Sequence, residues 1–341
     1  DLHRRRHSFP TRRSSDLNFG ISARLTTSAF FVVEADEYDT AFFDKRSKFI
    51  HYMPRTCIMG NLEFDHADIF RSVEDIQLQF QHLCKTIPQS GLIVAPTGSA
   101  ALEQVFAVQG EKSKSLWCGL QRCGPAGSPA ADWSYSPISA DGSVFRIQHG
   151  NDSAEVQWTM LGDHNMQNAT AAIAAAAHAG IPLRISAEAL SKFEGVKRRL
   201  ELIGKVNDIS VYDDFAHHPT AIETTLKGLR AAMQKQQSKG RLIAVIEARS
   251  NTMKMGYHQH TLAASVEARF VNRTASLPGS ATNNRQPSRS SSRTVCSALA
   301  LRWAGLSLGR GRAGLAEPVA AVGRGPAAPG ATSPAAPMLV V

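Results

Sequence analysis

Short apolar runs alternate with helical patterns between residues 18 and 270, and this alternation restricts the fold more than any other feature of the chain. The apolar runs at 29–33, 56–59 and 92–95 have the length and polar boundaries of buried strands. A helical pattern of apolar residues follows the second run, and Ser72 stands where its N-cap is expected. Strands that alternate with helices predict an α/β fold with a parallel sheet.

The following elements continue this alternation. Two short antiparallel strands are expected at 144–147 and 156–161, and an alanine-rich helix is predicted over 168–179, where Gly180 and Pro182 stop it. A further strand–helix–strand unit is predicted at 209–212, 221–234 and 242–246. These elements indicate a second α/β domain after the first.

The formal net charge of +9 is carried by the two ends of the 341-residue chain. Residues 1–17 have a net charge of +3 and residues 271–341 a net charge of +7, which leaves −1 for residues 18–270. A domain that binds nucleic acid carries positive charge on its folded surface. The charge distribution therefore argues against a nucleic-acid partner. A basic-armed nucleic-acid-binding protein is kept only as the alternative to an enzyme.

Neither end has the pattern of a folded segment. Residues 1–17 lack apolar periodicity, and we interpret them as an artefactual or disordered basic segment. Residues 271–341 contain seven of the sixteen prolines and a single acidic residue, Glu317. Such a composition buries too little apolar surface to offset the entropy of ordering, so this stretch is expected to be low-complexity, disordered or frameshifted sequence.

Hydropathy and cysteine content exclude two further classes. No apolar run approaches the roughly 20 residues of a membrane-spanning helix, so no membrane partner is expected. The five cysteines form no CxxC pair, which argues against a zinc ribbon or a disulfide framework. A reducing compartment is favoured, and we expect the protein to be cytoplasmic.

Acidic clusters follow the first two predicted strands. The sequence EADEYD begins at Glu34, and NLEFDHAD begins at Asn61 and contains His66. Ligands of open α/β sheets bind at the carboxyl ends of the strands. Oxygen ligands and one imidazole at two neighbouring strand ends suit a hard cation, whereas each cluster alone is equally typical of a solvated acidic loop.

Two later motifs carry polar groups that suit a nucleotide. GDHNMQNA, which begins at Gly162, offers side-chain amides that can pair with an adenine edge, although Asn165 or Asn168 would equally cap the alanine-rich helix. VYDDFAHHP follows the strand at 209–212, and Arg198-Arg199 lies upstream, where a guanidinium could reach a phosphate.

Taken in order, EADEYD, NLEFDHAD, GDHNMQNA, GVKRRLE and DDFAHHP resemble the Mur ligases, the ATP-dependent amide ligases of peptidoglycan assembly. The resemblance covers about residues 18–270. It implies ATP and Mg²⁺ as cofactors, and it implies three groups of site residues. These are Glu34 and His66 as catalytic magnesium ligands, His164, Asn165, Asn168, Arg199 and Asp214 at the nucleotide, and Arg249, Ser250 and Asn251 at the incoming peptide.

The resemblance also implies the domain boundaries. Residues 18–182 are expected to form the central ATP-binding domain, and residues 183–270 a truncated, Rossmann-like C-terminal domain. The glycine loop with which the family opens the central domain has the pattern GxxxxGK[ST], which occurs nowhere in the sequence. The central domain is therefore expected to be incomplete, and this chain is expected to be an inactive fragment.

Within the family, FFDKRSKF and ARSNTMKMG resemble the branch of peptidoglycan recycling that joins a tripeptide, L-alanyl-γ-D-glutamyl-meso-diaminopimelate, to UDP-N-acetylmuramate. These two small molecules are therefore the expected substrates. The alternative within the family is a ligase that joins free L-alanine to the same sugar nucleotide.

Overall fold

An eight-stranded sheet with helices on both faces is the main element of the fold. The computed structural model describes residues 16–267, apart from 22, 114–117, 208, 239 and 248–249, together with residues 338–340. The strands of the sheet are β1 Phe31–Val33, β4 Thr56–Ile58, β5 Leu92–Pro96, β6 Gly119–Pro125, β7 Trp133–Pro137, β8 Val144–His149, β9 Asp152–Gln157 and β12 Met338–Val340.

The order of the strands across this sheet is β1, β12, β4, β5, β6, β7, β8 and β9. Neighbouring strands are parallel from β1 to β7 and antiparallel from β7 to β9. The predicted parallel sheet is thus confirmed. The antiparallel pair is also present, although its second strand is Asp152–Gln157 instead of 156–161.

Smaller elements complete the described part of the chain. Two hairpins pair β2 Asp39–Ala41 with β3 Asp44–Ser47, and β10 Glu201–Val206 with β11 Ile209–Asp213. The helices are α1 Val73–Thr86, α2 Ala100–Ser113, α3 Asp163–His178, α4 Leu183–Ser191, α5 Pro219–Lys235, α6 Asn251–Lys254 and α7 Gln259–Glu267.

The core lies on both sides of β5, all five residues of which are buried. Leu92 and Val94 join a cluster with α3 and α4, while Ile93 and Ala95 join a cluster with α1 and α2. This division follows from the two-residue repeat of a strand, which directs successive side chains to opposite faces. The sheet is therefore covered on both faces, as a parallel sheet requires.

Four details differ from the sequence-based expectations. The alanine-rich helix begins at Asp163 and not near Asn168, so GDHNMQNA forms its first turns. Ser72 is at the N-cap of α1 but makes no side-chain capping bond, because its hydroxyl engages Glu74. Residues 242–246 form no strand; they have no strand beside them in the described part of the chain, and Val245 is 82% exposed.

The fourth difference is β12, within a stretch expected to be low-complexity or disordered. Its backbone pairs with β1 on one side and β4 on the other, both in parallel. The sequence Met338-Leu339-Val340 is apolar, unlike the Ala- and Pro-rich residues before it. Pairing on both sides satisfies backbone groups that would otherwise lie unpaired along β1 and β4.

The chain divides into two compact units, one of 1–275 with 335–341 and the other of 276–334. Every described residue belongs to the first unit. Among these residues, no helix is both long and apolar enough to cross a membrane.

Truncation of a core side chain of β8 should test the packing of this sheet. Ile147 is fully buried against the α3 side, so Ile147→Ala should lower the free energy of unfolding by about 2–4 kcal/mol. Ile138 is 52% exposed and offers the matched control. Ile138→Ala should change the free energy of unfolding by less than about 0.5 kcal/mol. Urea titration monitored by fluorescence measures both values, and equal losses would contradict this packing.

Candidate active site

The loop that follows β4 is the centre of the candidate site. We call residues 61–68 the acidic loop; it contains Glu63, Asp65, His66 and Asp68. It lies at the carboxyl end of a parallel strand, as does the segment that starts at Glu34 after β1. The structure thus places both acidic motifs at the same edge of the sheet, as the sequence predicts, but β1 and β4 are not neighbours as expected, because β12 lies between them.

His66 is held by a carboxylate of the first motif. Its Nε2 atom lies 2.7 Å from Oε1 of Glu37, and its ring packs on Tyr38 at 4.2 Å between centroids. Its φ of 53° is in the left-handed region, which a non-glycine residue rarely adopts. Glu34 itself is exposed, directly after β1.

The pKa values of this pair move apart. Burial alone would lower the pKa of His66, but the hydrogen bond and negative charge of Glu37 raise it above its usual value. Burial likewise opposes ionisation of Glu37, yet the bond from His66 lowers the pKa of Glu37. The two groups therefore favour an imidazolium–carboxylate pair.

The donor atoms at this edge suit a magnesium ion that is shared with a ligand. Carboxylate oxygens are the protein ligands that Mg²⁺ prefers, and it completes its shell with water and phosphate oxygens. No three His, Cys, Asp or Glu side chains of the described residues converge on a metal position. The donor set of the described residues therefore fits an ion that is shared with a nucleotide.

The acidic loop also binds the start of α5. Oε2 of Glu63 lies 2.8 Å from Nδ1 of His218 and accepts a hydrogen bond of 2.8 Å from the Thr220 hydroxyl. The bond to His218 is the main cause that lowers the pKa of Glu63 to about 2. Nε2 of His217 lies 3.5 Å from Oδ2 of Asp65. Two adjacent histidines thus contact carboxylates of the acidic loop.

A third contact joins the acidic loop to α6. The Thr252 hydroxyl donates to Oδ1 of Asp65 at 2.6 Å, and the Asn251 amide donates to Oδ2 of Asp68 at 2.8 Å. Ser250 caps α6 by accepting from the Met253 amide at 3.2 Å. Of the three predicted peptide-binding residues, Ser250 and Asn251 therefore lie beside the loop, and Arg249 lies outside the described residues.

The predicted adenine-binding residues lie on the first two turns of α3. His164, Asn165 and Asn168 are spaced three and four residues apart and so share one face. Asn165 donates its amide to the Leu161 carbonyl at 2.7 Å, while Gly162 is the N-cap, so neither asparagine caps the helix. Asn168 is exposed.

His164 has a free hydrogen-bonding position. Its Nδ1 atom is buried and has no partner. Burial lowers the pKa of His164, and the charges of Asp214 and Arg199 act on it with opposite signs. Asp214, directly after β11, and Arg199, before β10, therefore lie within electrostatic reach of α3.

Asp214 and Arg199 differ in how they are held. Both carboxylate oxygens of Asp214 accept backbone bonds of 2.7 Å, from Leu200 and Ala216. Arg199 is exposed and lies over the Phe215 ring at 5.9 Å. The carboxylate shapes its own turn, whereas the guanidinium remains accessible to a ligand.

Three glycines bring α5 onto the start of α3. A Cβ atom built on Gly228 would lie 3.2 Å from the Gly162 nitrogen, and one built on Gly142 would lie 3.1 Å from the Gly162 oxygen. At the end of α5, Lys235 pairs with Asp141 at 3.1 Å. The Gly228 contact holds α5 against GDHNMQNA, and the Lys235 pair holds the end of α5 against the β7–β8 turn.

Two sequence profiles match the chain. The Mur ligase middle domain matches residues 11–176, and the glutamate ligase domain of Mur ligases matches residues 198–296. The chain belongs to the Mur ligase family. The middle-domain match includes the acidic loop and α3, and the second match includes β11, α5 and α6.

Individual relatives show which branch is most similar. The UDP-N-acetylmuramate–L-alanyl-γ-D-glutamyl-meso-2,6-diaminoheptandioate ligase of Haemophilus influenzae is 48% identical over 250 residues, which are 73% of this chain and 52% of that protein. The UDP-N-acetylmuramate–L-alanine ligase of Mycobacterium marinum is 32% identical over 237 residues, 67% of this chain and 46% of that protein. The chain thus spans about half the length of these relatives.

A solved structure gives the same result. The crystal structure of a murein peptide ligase from Psychrobacter arcticus matches with a TM-score of 0.50 and 50% identity. The match covers 69% of this chain and 46% of that one. Fold and sequence therefore agree on the family.

The sequence did not single out the groups that join these motifs. Glu37, Glu63, Asp65, His217 and His218 all lie within the quoted motifs, so their composition was visible. The pairs of Asp65 with His217 and of Glu63 with His218 join segments that are about 150 residues apart in the sequence. Thr252 lies in ARSNTMKMG, yet nothing in that sequence shows that its hydroxyl is buried.

Removal of the Glu37 charge should lower the pKa of His66. Glu37→Gln deletes the main group that raises it, while burial, which lowers it, remains. NMR titration of the histidine Cε1 protons, assigned with His66→Gln, measures the midpoint. Asp44→Asn, which removes the partner of His51, is the control and should leave the His66 midpoint unchanged. A midpoint that stays in place in Glu37→Gln would show that the pair does not persist in solution.

Proposed function

We propose that this chain is the nucleotide-binding and peptide-binding part of an ATP-dependent ligase that joins L-alanyl-γ-D-glutamyl-meso-diaminopimelate to UDP-N-acetylmuramate. The observation that carries the proposal is the 48% identity to a ligase named for this tripeptide, against 32% to one named for L-alanine. The same difference disfavours the L-alanine ligase. The site of action would be the cytoplasm.

Adenine would bind along the exposed face of α3. The Asn165 and Asn168 amides can both donate and accept hydrogen bonds, which an adenine edge requires. The unpartnered Nδ1 of His164 supports a polar ligand at this position. Arg199 would contact phosphate oxygens with its exposed guanidinium, and Asp214 would orient the turn that carries it.

Glu34 and His66 would hold the magnesium ion, and His66 would give up the proton that it shares with Glu37 on binding, because only a neutral imidazole binds a metal. When bound, the ion would offset the negative charge of the phosphates. The His66–Glu37 pair keeps the imidazole at the strand edge before a ligand arrives. The acidic loop would thereby be oriented without enclosing a metal of its own.

The reaction that this family membership implies has two steps. The lactyl carboxylate of UDP-N-acetylmuramate takes the γ-phosphoryl group from ATP, and the amine of the tripeptide then displaces phosphate to form the amide. The protein contributes mainly by positioning these groups. Arg249, Ser250 and Asn251 would bind the tripeptide, because two of them lie beside the acidic loop.

The proposal predicts a preference between two acceptors. The chain should bind the tripeptide at least about tenfold more tightly than L-alanine, because only the tripeptide reaches both Ser250 and Asn251. Isothermal titration calorimetry measures both affinities. Asn251→Ala should weaken tripeptide binding, and Asn151→Ala, in the exposed β8–β9 turn, should not. Tighter binding of L-alanine would favour the alternative ligase.

The proposed adenine site can be tested separately. Asn168→Ala should weaken binding of a non-hydrolysable ATP analogue by about tenfold, as expected for one lost hydrogen bond at a polar ligand. Gln167→Ala is the matched control, because its side chain points about 100° away around the helix. Equal affinities of Asn168→Ala and Gln167→Ala would exclude this face of α3 as the adenine site.

A further inference from the structure

Asp65 joins three separate segments of the chain. Its Oδ1 atom accepts bonds from the His66 amide at 2.7 Å and from the Thr252 hydroxyl at 2.6 Å, and its Oδ2 atom lies 3.5 Å from His217. Burial would raise the pKa of Asp65, but the bonds from His217, Thr252 and its own loop lower it. The carboxylate is thus ionised, and the Thr252 hydroxyl is its shortest hydrogen-bond partner of the three.

Thr252 is engaged on both sides of its hydroxyl oxygen. The hydroxyl donates to Asp65 and accepts from the Ala67 amide at 3.2 Å, and the residue is only 1% exposed. One side chain of α6 therefore binds the residues immediately before and after His66. Because His66 has a φ of 53°, its backbone needs such fixed neighbours to stay in the left-handed region.

The same residue also fixes the segment that contains the proposed peptide-binding residues. Asn251 precedes Thr252, and its amide binds Asp68 on the same loop. Buried Met253 follows. Two successive side chains of α6 thus hold the acidic loop, so the loop and the 250–252 segment have one fixed arrangement.

We infer that Thr252 is a positioning residue for the peptide acceptor. Its hydroxyl holds the 250–252 segment against the acidic loop, so that the peptide meets a preformed surface next to His66. This inference rests on the proposed function, because it takes the tripeptide as the ligand of that segment. Preformed geometry matters here since ordering the segment on binding would cost affinity.

The test compares three variants of the whole chain by titration calorimetry. Thr252→Val keeps the shape and removes the hydroxyl, so it should weaken tripeptide binding about tenfold. Thr252→Ser keeps the hydroxyl and should restore most of the affinity. Thr224→Val removes a hydroxyl that bonds only to carbonyls of its own helix and should have no effect.

Affinity for the non-hydrolysable ATP analogue separates positioning from general destabilisation. Measured without Mg²⁺, this affinity should stay within about twofold in Thr252→Val, because the Thr252 hydroxyl bonds to Asp65 and Ala67 and not to a residue of α3. If Thr252→Val does not fold, Asp65→Asn removes the charge that the hydroxyl binds and should weaken tripeptide binding in the same way.

The outcomes distinguish the two proposals. A chain that binds neither the tripeptide nor the ATP analogue overturns the proposed function and this inference with it. A chain that binds both, and keeps full tripeptide affinity in folded Thr252→Val or Asp65→Asn, overturns the inference alone. Loss of both affinities together would mean that Thr252 serves only stability, which also overturns it.

Discussion

Burial of β5 on both faces is the constraint on which the rest of the structure depends. Its five residues have no exposed side, so helices must cover the sheet above and below. Helices α1 and α2 return the chain after β4 and β5, and the β2–β3 hairpin lies between β1 and β4, so that these parallel strands all end at the same edge. The acidic motifs meet at that edge because of the core, and not because they attract one another.

Like charges brought together in this way must be compensated. Glu37, Glu63 and Asp65 each lie against a histidine; His66 belongs to the acidic loop itself, whereas His217 and His218 are adjacent residues before α5. The loop after β4 is consequently bound to the C-terminal segments through charge, whereas α5 is bound to α3 through close backbone contact. The two halves of the site are joined by two different kinds of interaction.

The sequence predicted the parallel sheet, the antiparallel pair and α5, because apolar periodicity reports burial directly. It placed the beginning of α3 five residues late, since Asn165 and Asn168 are good capping residues that happen to lie inside the helix. The segment at 242–246 is apolar enough for a strand, but no strand lies beside it in the described part of the chain. The local sequence pattern does not show whether a partner strand is present.

For the site, the sequence predicted the motifs and not their pairing. Glu34 and His66 were expected together, and the structure shows His66 on Glu37, which lies only three residues further along. That choice depends on the backbone turn after β1, which composition does not encode. The roles of the ten predicted site residues stay predictions.

The contact between Gly228 and Gly162 is a point about which α5 can tilt. No compressible side chain separates the two backbones, so the helix can tilt about this point more easily than it can move away. The beginning of the helix at Pro219 lies nine residues from Gly228, about 13 Å along the axis. A tilt of about 5° there displaces the first turn by about 1 Å, enough to make or break a hydrogen bond such as that between Thr220 and Glu63. A small shift of the first turns of α3 would thus change the hydrogen bonds of the acidic loop, on the far side of the site.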